Sequence, residues 1–304
     1  MHLSFGSLAL GAVLACSGSA GATIFPEKVH PQDAPVIDGV GGDPAWRKAT
    51  EVQVADPIFR SGVDVSRHRT VLRFLSDGKT LFVGAECRFP AGDNRLPGLD
   101  RKRQQTVFEN DSLELFFAPD GGQTATPCYH FGIDLCGDTV QRKAREEWHS
   151  GWKTAVSLGK DRWYAEMAIP LAGIGAERTA GHYWHVNACR NIYGANGRFV
   201  EGLALARPGY HSPIERMVLG PVAADILAGH VKAALVAMET MRPYLAGPDR
   251  ALFRKLTDLQ KRLEEMRNAP VPIDEAVAIL EIVARSDQQI VHDVILNFMF
   301  EAEP

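Results

Sequence analysis

The chain has 304 residues, a formal net charge of −4 and a hydrophobic fraction of 45%. This length is sufficient for one large globular domain with an extension, or for two medium-sized domains. A charge this close to neutral lacks the broad basic surface that binds phosphate backbones. The composition therefore argues against nucleic acid as a partner.

The first 22 residues predict an export signal. They contain no Lys, Arg, Asp or Glu, their apolar run at 8–16 is too short to span a bilayer, and they end in the small-residue pattern Ala-Gly-Ala. We therefore expect cleavage after Ala22 and a periplasmic or extracellular protein. The alternative is a lipoprotein box at 13–16, in which a lipidated Cys16 anchors the mature chain at a membrane surface. No later stretch reaches about 18 apolar residues, so we expect no membrane-spanning segment in the mature protein.

Residues 36–220 predict many short antiparallel strands. Apolar and polar side chains alternate in short runs that are separated by turn residues. In one run, Tyr129, Phe131 and Ile133 share a face, and His130 belongs to the opposite face. This organisation is typical of a mainly β protein, and we expect an antiparallel β-sandwich.

Residues 222–304 predict helices instead of strands. Only two of the 28 Gly residues and none of the five Trp residues lie there. We therefore expect a sandwich over 23–221, followed by an α-helical hairpin or three-helix segment over 222–304. These helices either form a structural bundle or bind a protein partner or a second copy of the chain. One predicted helix carries an apolar stripe at spacings of three and four residues: Leu252, Leu256, Leu259, Leu263 and Met266.

Four cysteines remain after the first 22 residues: Cys87, Cys128, Cys136 and Cys189. An even number is compatible with disulfides in an oxidising compartment. Buried unpaired thiols are the alternative, because a protein of this size does not need covalent cross-links. Cys128 and Cys136 bracket a predicted strand, and eight extended steps would separate their Cα atoms by roughly 26 Å, so we do not expect that pair to be bridged.

Seven segments between residues 35 and 220 together resemble the family 9 carbohydrate-binding modules and their relatives. The resemblance implies a β-sandwich of an exported protein that binds poly- or oligosaccharide without catalysis, often beside glycoside hydrolases that degrade polysaccharides. It also implies a sugar held between two aromatic planes, and structural calcium. The segments occur in the family order: 36–39, 43–46, 73–83, 109–116, 163–170, 184–190 and 209–213.

The aromatic side chains of the expected sugar site differ from the family pattern. Neither 88–93 nor 203–207 contains the Trp that the resemblance implies there. The remaining candidates are Trp148 and Trp152, in a polar stretch between two predicted strands. A Trp ring can offer its flat face to the CH side of a sugar. We predict Trp148 to be the exposed stacking residue, and Trp152 either joins it or covers the edge of the sandwich.

Polar side chains complete the predicted site. Glu109 and Asp111 are two residues apart, so in an extended strand they would point the same way and serve a sugar or calcium. The alternative is a turn in which both bond to the backbone. Arg190 and Tyr210 are further carbohydrate-binding candidates because they lie in matching segments. Three Trp residues of other matching segments are assigned to the core: Trp46, Trp163 and Trp184.

The sequence gives no support for catalysis. It contains no G-x-S-x-G, H-E-x-x-H or Walker A pattern, so we predict no catalytic residue and favour a protein that is not an enzyme. Two function classes remain: carbohydrate binding, and a sandwich scaffold that acts on protein partners through its helical tail. Haem binding is a third option, since the absence of C-x-x-C-H excludes only covalent c-type haem.

Overall fold

The computed structural model describes residues 23–54, 56–57, 70–89, 106–118, 128–144, 146–175, 183–194, 197–202, 215–245 and 249–301. The chain divides into two compact units, a β unit over Ile24–Leu219 and a helical unit that begins at Gly220. The predicted export signal, including Cys16, lies outside the described residues. Export and the lipoprotein alternative therefore stay predictions.

The alternating runs of the β unit form strands. Within the described residues these strands pair into a six-stranded sheet in the order β1-β4-β5-β11-β10, with β2 beside β4, and an eight-stranded sheet in the order β3-β13-β12-β6-β7-β8-β9, with β14 beside β12. The strands are β1 (Glu27–Lys28), β2 (Thr50–Val54), β3 (Asp56–Pro57), β4 (Thr70–Ser76), β5 (Thr80–Arg88), β6 (Ser112–Ala118), β7 (Tyr129–Asp134), β8 (Thr139–Lys143), β9 (Glu146–Glu147), β10 (Lys153–Leu158), β11 (Arg162–Pro170), β12 (Trp184–Gly194), β13 (Gly197–Gly202) and β14 (Glu215–Met217).

The main core lies between the two sheets. Leu72 and Phe74 of β4 enter it from the six-stranded sheet, and Phe117 of β6 and Phe131 of β7 enter it from the eight-stranded sheet. All four are at most 1% exposed. Burial of such side chains contributes about 1.5–3 kcal/mol each, which makes this layer the main source of stability. The predicted antiparallel β-sandwich is confirmed.

The three Trp residues assigned to the core are all buried. Trp163 and Trp184 lie in the main core. Trp46 lies instead in a smaller apolar cluster with Phe82 and Leu75. The ring of Trp46 packs over Gly84, where a Cβ atom would come within 3.2 Å of it. The sandwich therefore has an apolar cluster outside its central layer.

The four cysteines within the described residues are free thiols. Cys87 and Cys189 are buried, and Cys128 and Cys136 are half-buried. Burial raises the pKa of Cys128 to about 11, and burial together with the carboxylate of Glu114 raises that of Cys189. Of the two interpretations of these four residues, unpaired thiols are the one that the structure has.

The helical unit contains three helices among its described residues: α1 (Ala224–Met241), α2 (Arg250–Met266) and α3 (Ile273–Glu301). Short strands β15 (Val222–Ala223) and β16 (Pro270–Val271) pair antiparallel. No helix in the described part of the chain is both long and apolar enough to cross a membrane. The predicted three-helix segment is confirmed.

Helix α2 shows why this part of the sequence is helical. Asp249 caps its first turn, since the carboxylate accepts hydrogen bonds from the backbone N–H groups of Ala251 and Leu252 at 2.9 and 3.0 Å. Its apolar stripe buries Leu256 and Leu263 completely. Capping and a buried stripe together stabilise a helix whose other faces are polar.

Candidate functional site

The outer face of the eight-stranded sheet carries aromatic and polar side chains. Phe116 of β6 lies opposite His130 of β7, and His130 lies opposite Arg142 of β8. Alternate residues of a strand point to opposite faces of the sheet, so these three side chains form one row on the face that turns away from the core. We call this row and the adjoining Phe108 and Glu114 the His130 face.

Three rings of the His130 face are stacked. The centroids of Phe116 and His130 are 4.4 Å apart with an interplanar angle of 16°. Phe108, from the 3-10 turn Val107–Glu109 that precedes β6, lies 5.3 Å from His130 at 12°. The guanidinium carbon of Arg142 is 5.8 Å from the Phe108 centroid. Phe108 and Arg142 are half-buried and so present part of their surface to solvent.

A buried carboxylate lies behind the rings. Nε2 of His130 is 2.9 Å from Oε2 of Glu114, and the side-chain amide of Asn191 donates to Oε1 of Glu114 at 2.7 Å. A carboxylate only accepts hydrogen bonds, so Nε2 of His130 carries the proton in this contact. Glu114 is 2% exposed, and its hydrogen bonds offset the cost of burying its charge. This network fixes the orientation of the imidazole ring within the stack.

Asp111 and Arg190, predicted to contact sugar, lie inside the sandwich. Both side chains are fully buried, and Arg190 Nε and Nη2 donate to the two carboxylate oxygens of Asp111 at 3.1 Å. Trp163 also donates to Asp111, at 2.9 Å. Burial raises the pKa of Asp111, and the charge of Arg190 opposes this shift. The pair lies at the eight-stranded sheet, and its hydrogen bonds with Trp163 of β11 and Thr70 of β4 link it to the six-stranded sheet, away from the surface.

Glu109 and Asp111 do not point the same way, and of the two interpretations of this pair the structure has the turn for Glu109, while Asp111 bonds to side chains. Glu109 belongs to the 3-10 turn Val107–Glu109 and is exposed, whereas Asp111 is fully buried. The strand begins only at Ser112, so the two-residue period of a strand does not apply to this pair.

The two loop Trp residues pack against the core. The Trp148 ring is 5.0 Å from Tyr129 and 5.9 Å from Phe131, and the Trp152 ring is 4.9 Å from Phe131. Ser150 between them donates its backbone N–H and hydroxyl to the side chain of Gln141 at 2.9 and 2.6 Å. Trp148 is therefore half-buried, which corrects the expectation of an exposed ring. Trp152 covers the edge of the sandwich, as one of the two interpretations had it.

Two further predictions concern Tyr210 and calcium. Tyr210 lies outside the described residues. Among the described residues, no group of three or more His, Cys, Asp or Glu side chains comes together in a way that could hold a metal. The buried Asp134 instead accepts hydrogen bonds from the backbone N–H groups of Cys136 and Asp138 and from the amide of Asn110. These hydrogen bonds close a turn around Asp134, and structural calcium stays a prediction.

The outer face of the six-stranded sheet is different in character. A cleft of about 600 Å³ opens there beside Trp46 and Tyr164. Its charged side chains pair with one another, since Arg73 lies 3.1 Å from Glu51 and 3.8 Å from Glu86. These opposite charges therefore pair with each other along the cleft.

The family of the chain follows from a match over half of its length. A family model described as carbohydrate family 9 binding domain-like matches residues 37–191. The chain belongs to this family. The family 9 match contains every described strand from β4 to β11, and therefore β6, β7 and β8 of the His130 face.

Solved structures similar to this family 9 domain include two complexes of a family 9 carbohydrate-binding module from Caldicellulosiruptor kristjanssonii. One, in complex with cellotriose, is 16% identical with a TM-score of 0.49, and the alignment covers 65% of this chain and 93% of that one. The other, in complex with glucose, is 15% identical with a TM-score of 0.49, and the alignment covers 65% and 96%. A comparison with curated proteins found no match.

Most of the His130 face was not predicted from the sequence. The alternation predicts His130 on the face opposite Tyr129 and Phe131, which is confirmed, but it does not connect His130 with Phe108 or Glu114. The missed signal was parity: Glu114, Phe116 and His130 all fall at positions opposite to the core residues of their strands. Phe108 gave no such signal, since it lies in a turn.

Proposed function

We propose that this family 9 domain binds carbohydrate without catalysis and that the His130 face is its binding surface. The observation that carries the proposal is the stack of Phe108, His130 and Phe116, backed by the Glu114 carboxylate and flanked by Arg142. Sugar sites combine an apolar aromatic platform with a few oriented polar groups, and this face has both.

The side chains of the proposed site have separate roles. The half-buried Phe108 ring packs against the CH side of a sugar, and the Arg142 guanidinium donates hydrogen bonds to its hydroxyl groups. Glu114 and Asn191 are buried and act by holding His130 in place. One platform and a few hydrogen bonds of about 0.5–1.5 kcal/mol each give weak to moderate affinity.

Calorimetry with the full chain tests this proposal. Glucose and cellotriose, the sugars in the two family 9 complexes, are the first probes, followed by other mono- and oligosaccharides. We expect binding by the wild type and a loss of roughly tenfold or more in affinity for Phe108→Ala. Tyr164→Ala is the matched control, because Tyr164 is a half-buried aromatic residue on the other sheet. Failure of the folded wild type to bind any sugar would refute the proposal.

We also propose that the protein is exported to the periplasm or the extracellular space, where it supports polysaccharide breakdown by holding carbohydrate. The charge-free apolar segment over residues 1–22 supports export. Mass spectrometry of the mature protein should find Thr23 as the first residue. A lipidated Cys16 would place the protein at a membrane surface instead, and an intact Met1 would refute both forms of export.

We propose that residues 222–304 form a helical domain separate from a sandwich domain over 23–221. The division of the chain into two compact units near Gly220 supports this boundary. A fragment of residues 23–221 should be soluble and unfold cooperatively. An insoluble fragment, or one without a cooperative transition, would mean that the sandwich needs the helices.

We propose self-association as a second function, carried by the helical unit. A groove of about 700 Å³ between α2 and α3 is lined by the apolar side chains of Leu252 and Ile282, by the basic side chains of Lys255 and Arg285, and, among its described lining residues, by the single acidic side chain of Asp249. The unit as a whole is acidic, with 13 acidic and 9 basic residues over 222–304, so an acidic surface of a second copy complements the groove. Light scattering should show a dimer that Lys255→Glu/Arg285→Glu disrupts; a monomer at all concentrations would refute this.

A further inference from the structure

Gly132 occupies a position in the His130 face that ordinarily favours a larger residue. It lies in the middle of β7, between Glu114 of β6 and Val140 of β8. Glycine weakens a strand interior because it adds backbone entropy to the unfolded chain and has no side chain to pack. Its φ is not in the positive region, so backbone conformation does not require glycine here. The reason must lie in the space above it.

The space above Gly132 is occupied by the Phe108 ring. A Cβ atom at Gly132 would lie 2.8 Å from Cε1 of Phe108 and 2.7 Å from a methyl carbon of Val140. Both distances are well inside the normal carbon–carbon contact of about 3.5–4.0 Å. The ring of Phe108 thus rests directly on the backbone of β7. A methyl group at this position would displace the ring, the Val140 side chain or both.

The distance of the Phe108 ring from the backbone of β7 decides whether the ring can stack on His130. At its present height the ring is nearly parallel to His130, 5.3 Å from its centroid, and His130 stacks in turn on Phe116. A ring raised from the strand loses this parallel contact and its position beside Arg142. We propose that Gly132 is a positioning residue that sets the Phe108 platform at the height at which it binds sugar. This inference rests on the proposed carbohydrate binding at the His130 face.

The chain offers a matched control in the other sheet. Gly84 lies in the interior of β5, also without a positive φ, and a Cβ atom there would come within 3.2 Å of the Trp46 ring. Gly84→Ala therefore crowds a ring on an outer face, as Gly132→Ala does, but at a distance from the His130 face. A general effect of alanine under an aromatic ring would appear in both variants.

Calorimetry and NMR on the full chain test the inference. With cellotriose as the probe, we expect Gly132→Ala to bind roughly tenfold more weakly than the wild type, and Gly84→Ala to bind as the wild type does. In the Phe108→Ala background, Gly132→Ala should change affinity by less than about twofold, because the ring that it displaces is absent. If Gly132→Ala does not fold, Gly132→Ala/Val140→Ala replaces it, since one of the two close contacts is then removed.

The possible failures are separable. Wild-type affinity in a folded Gly132→Ala, or an equal loss of affinity with and without the Phe108 ring, would refute the positioning role. If the wild type binds no sugar, the proposed function fails. The ring-current shifts of the carbon-bound His130 protons then still test whether Gly132 places the Phe108 ring against His130. These resonances should move in Gly132→Ala and Phe108→Ala but not in Gly84→Ala; unchanged His130 resonances in Gly132→Ala would refute the placement.

Discussion

The two outer faces of the sandwich differ in what their polar groups are bonded to. On the six-stranded sheet, Arg73 pairs with Glu51 and Glu86, so each charge is satisfied by a neighbouring side chain. On the eight-stranded sheet, Glu114 is satisfied by His130 and Asn191, and its bonds orient a ring that stacks under the half-exposed Phe108. In the first arrangement, the charged side chains pair with one another. In the second, His130 and Phe116 are buried and the Phe108 ring remains partly exposed.

The largest loss of stability should come from breaking the buried Asp111–Arg190 pair, which lies between the two faces and bonds to Trp163 and Thr70 of the six-stranded sheet. Arg190→Ala should lower the free energy of unfolding by about 3–5 kcal/mol, because it leaves the fully buried Asp111 without its cation. Urea unfolding measures this. The double variant Asp111→Leu/Arg190→Met should be much closer to the wild type. A loss below about 1 kcal/mol for Arg190→Ala would contradict the interior placement of the pair.

Trp148→Ala should cause a smaller loss of stability and, unlike changes in the His130 face, no loss of sugar affinity. Trp148→Ala should destabilise the protein by about 2 kcal/mol, less than a fully buried ring, because Trp148 packs on Tyr129 and Phe131. Its affinity for sugar should stay at the wild-type value. Thermal unfolding and calorimetry of the same sample decide whether Trp148 packs against the core or stacks on a sugar. A loss of sugar affinity with unchanged stability would show that Trp148 is the residue that stacks on the sugar.

The hydrogen-bond network of the His130 face can be tested with one isosteric change. Glu114→Gln should cost about 1–3 kcal/mol of unfolding free energy, because a neutral amide is a weaker acceptor for buried donors and adds a buried donor of its own. Sugar affinity should fall as well, since His130 is no longer held in the stack. Stability and affinity that both match the wild type would show that the carboxylate does not position the ring.

The smallest loss of stability is expected for a change on the outer face of the six-stranded sheet. Arg73→Ala should change the unfolding free energy by less than about 1 kcal/mol, because its ion pairs are partly exposed and screened by solvent. Raising the salt concentration should reduce the difference further. Sugar affinity should not change. A loss of affinity in Arg73→Ala would move the binding surface to the cleft beside Tyr164.

Much of the fold could be predicted from the sequence because strand parity is a local property. Tyr129 and Phe131 lie in the core and His130 on the outer face, as their alternation predicts. Strand parity does not apply at Glu109, because the 3-10 turn that was the alternative interpretation replaces the strand there.

The candidate site was harder to predict because it depends on which strands become neighbours. Phe108 and His130 are 22 residues apart in sequence, and they meet only because β6 and β7 pair with Phe116 opposite His130. Asn191 reaches Glu114 only because β12 pairs with β6 in a particular register. Trp148 was misjudged because a polar sequence around a Trp does not show what its ring packs against.

The central claim is that the His130 face binds sugar and the face of the six-stranded sheet does not. A crystal structure of the full chain with cellotriose tests this most directly. The account predicts a sugar ring packed against Phe108 with Arg142 within hydrogen-bonding distance of its hydroxyl groups. A sugar bound in the cleft beside Trp46 and Tyr164, with the His130 face empty, would contradict it.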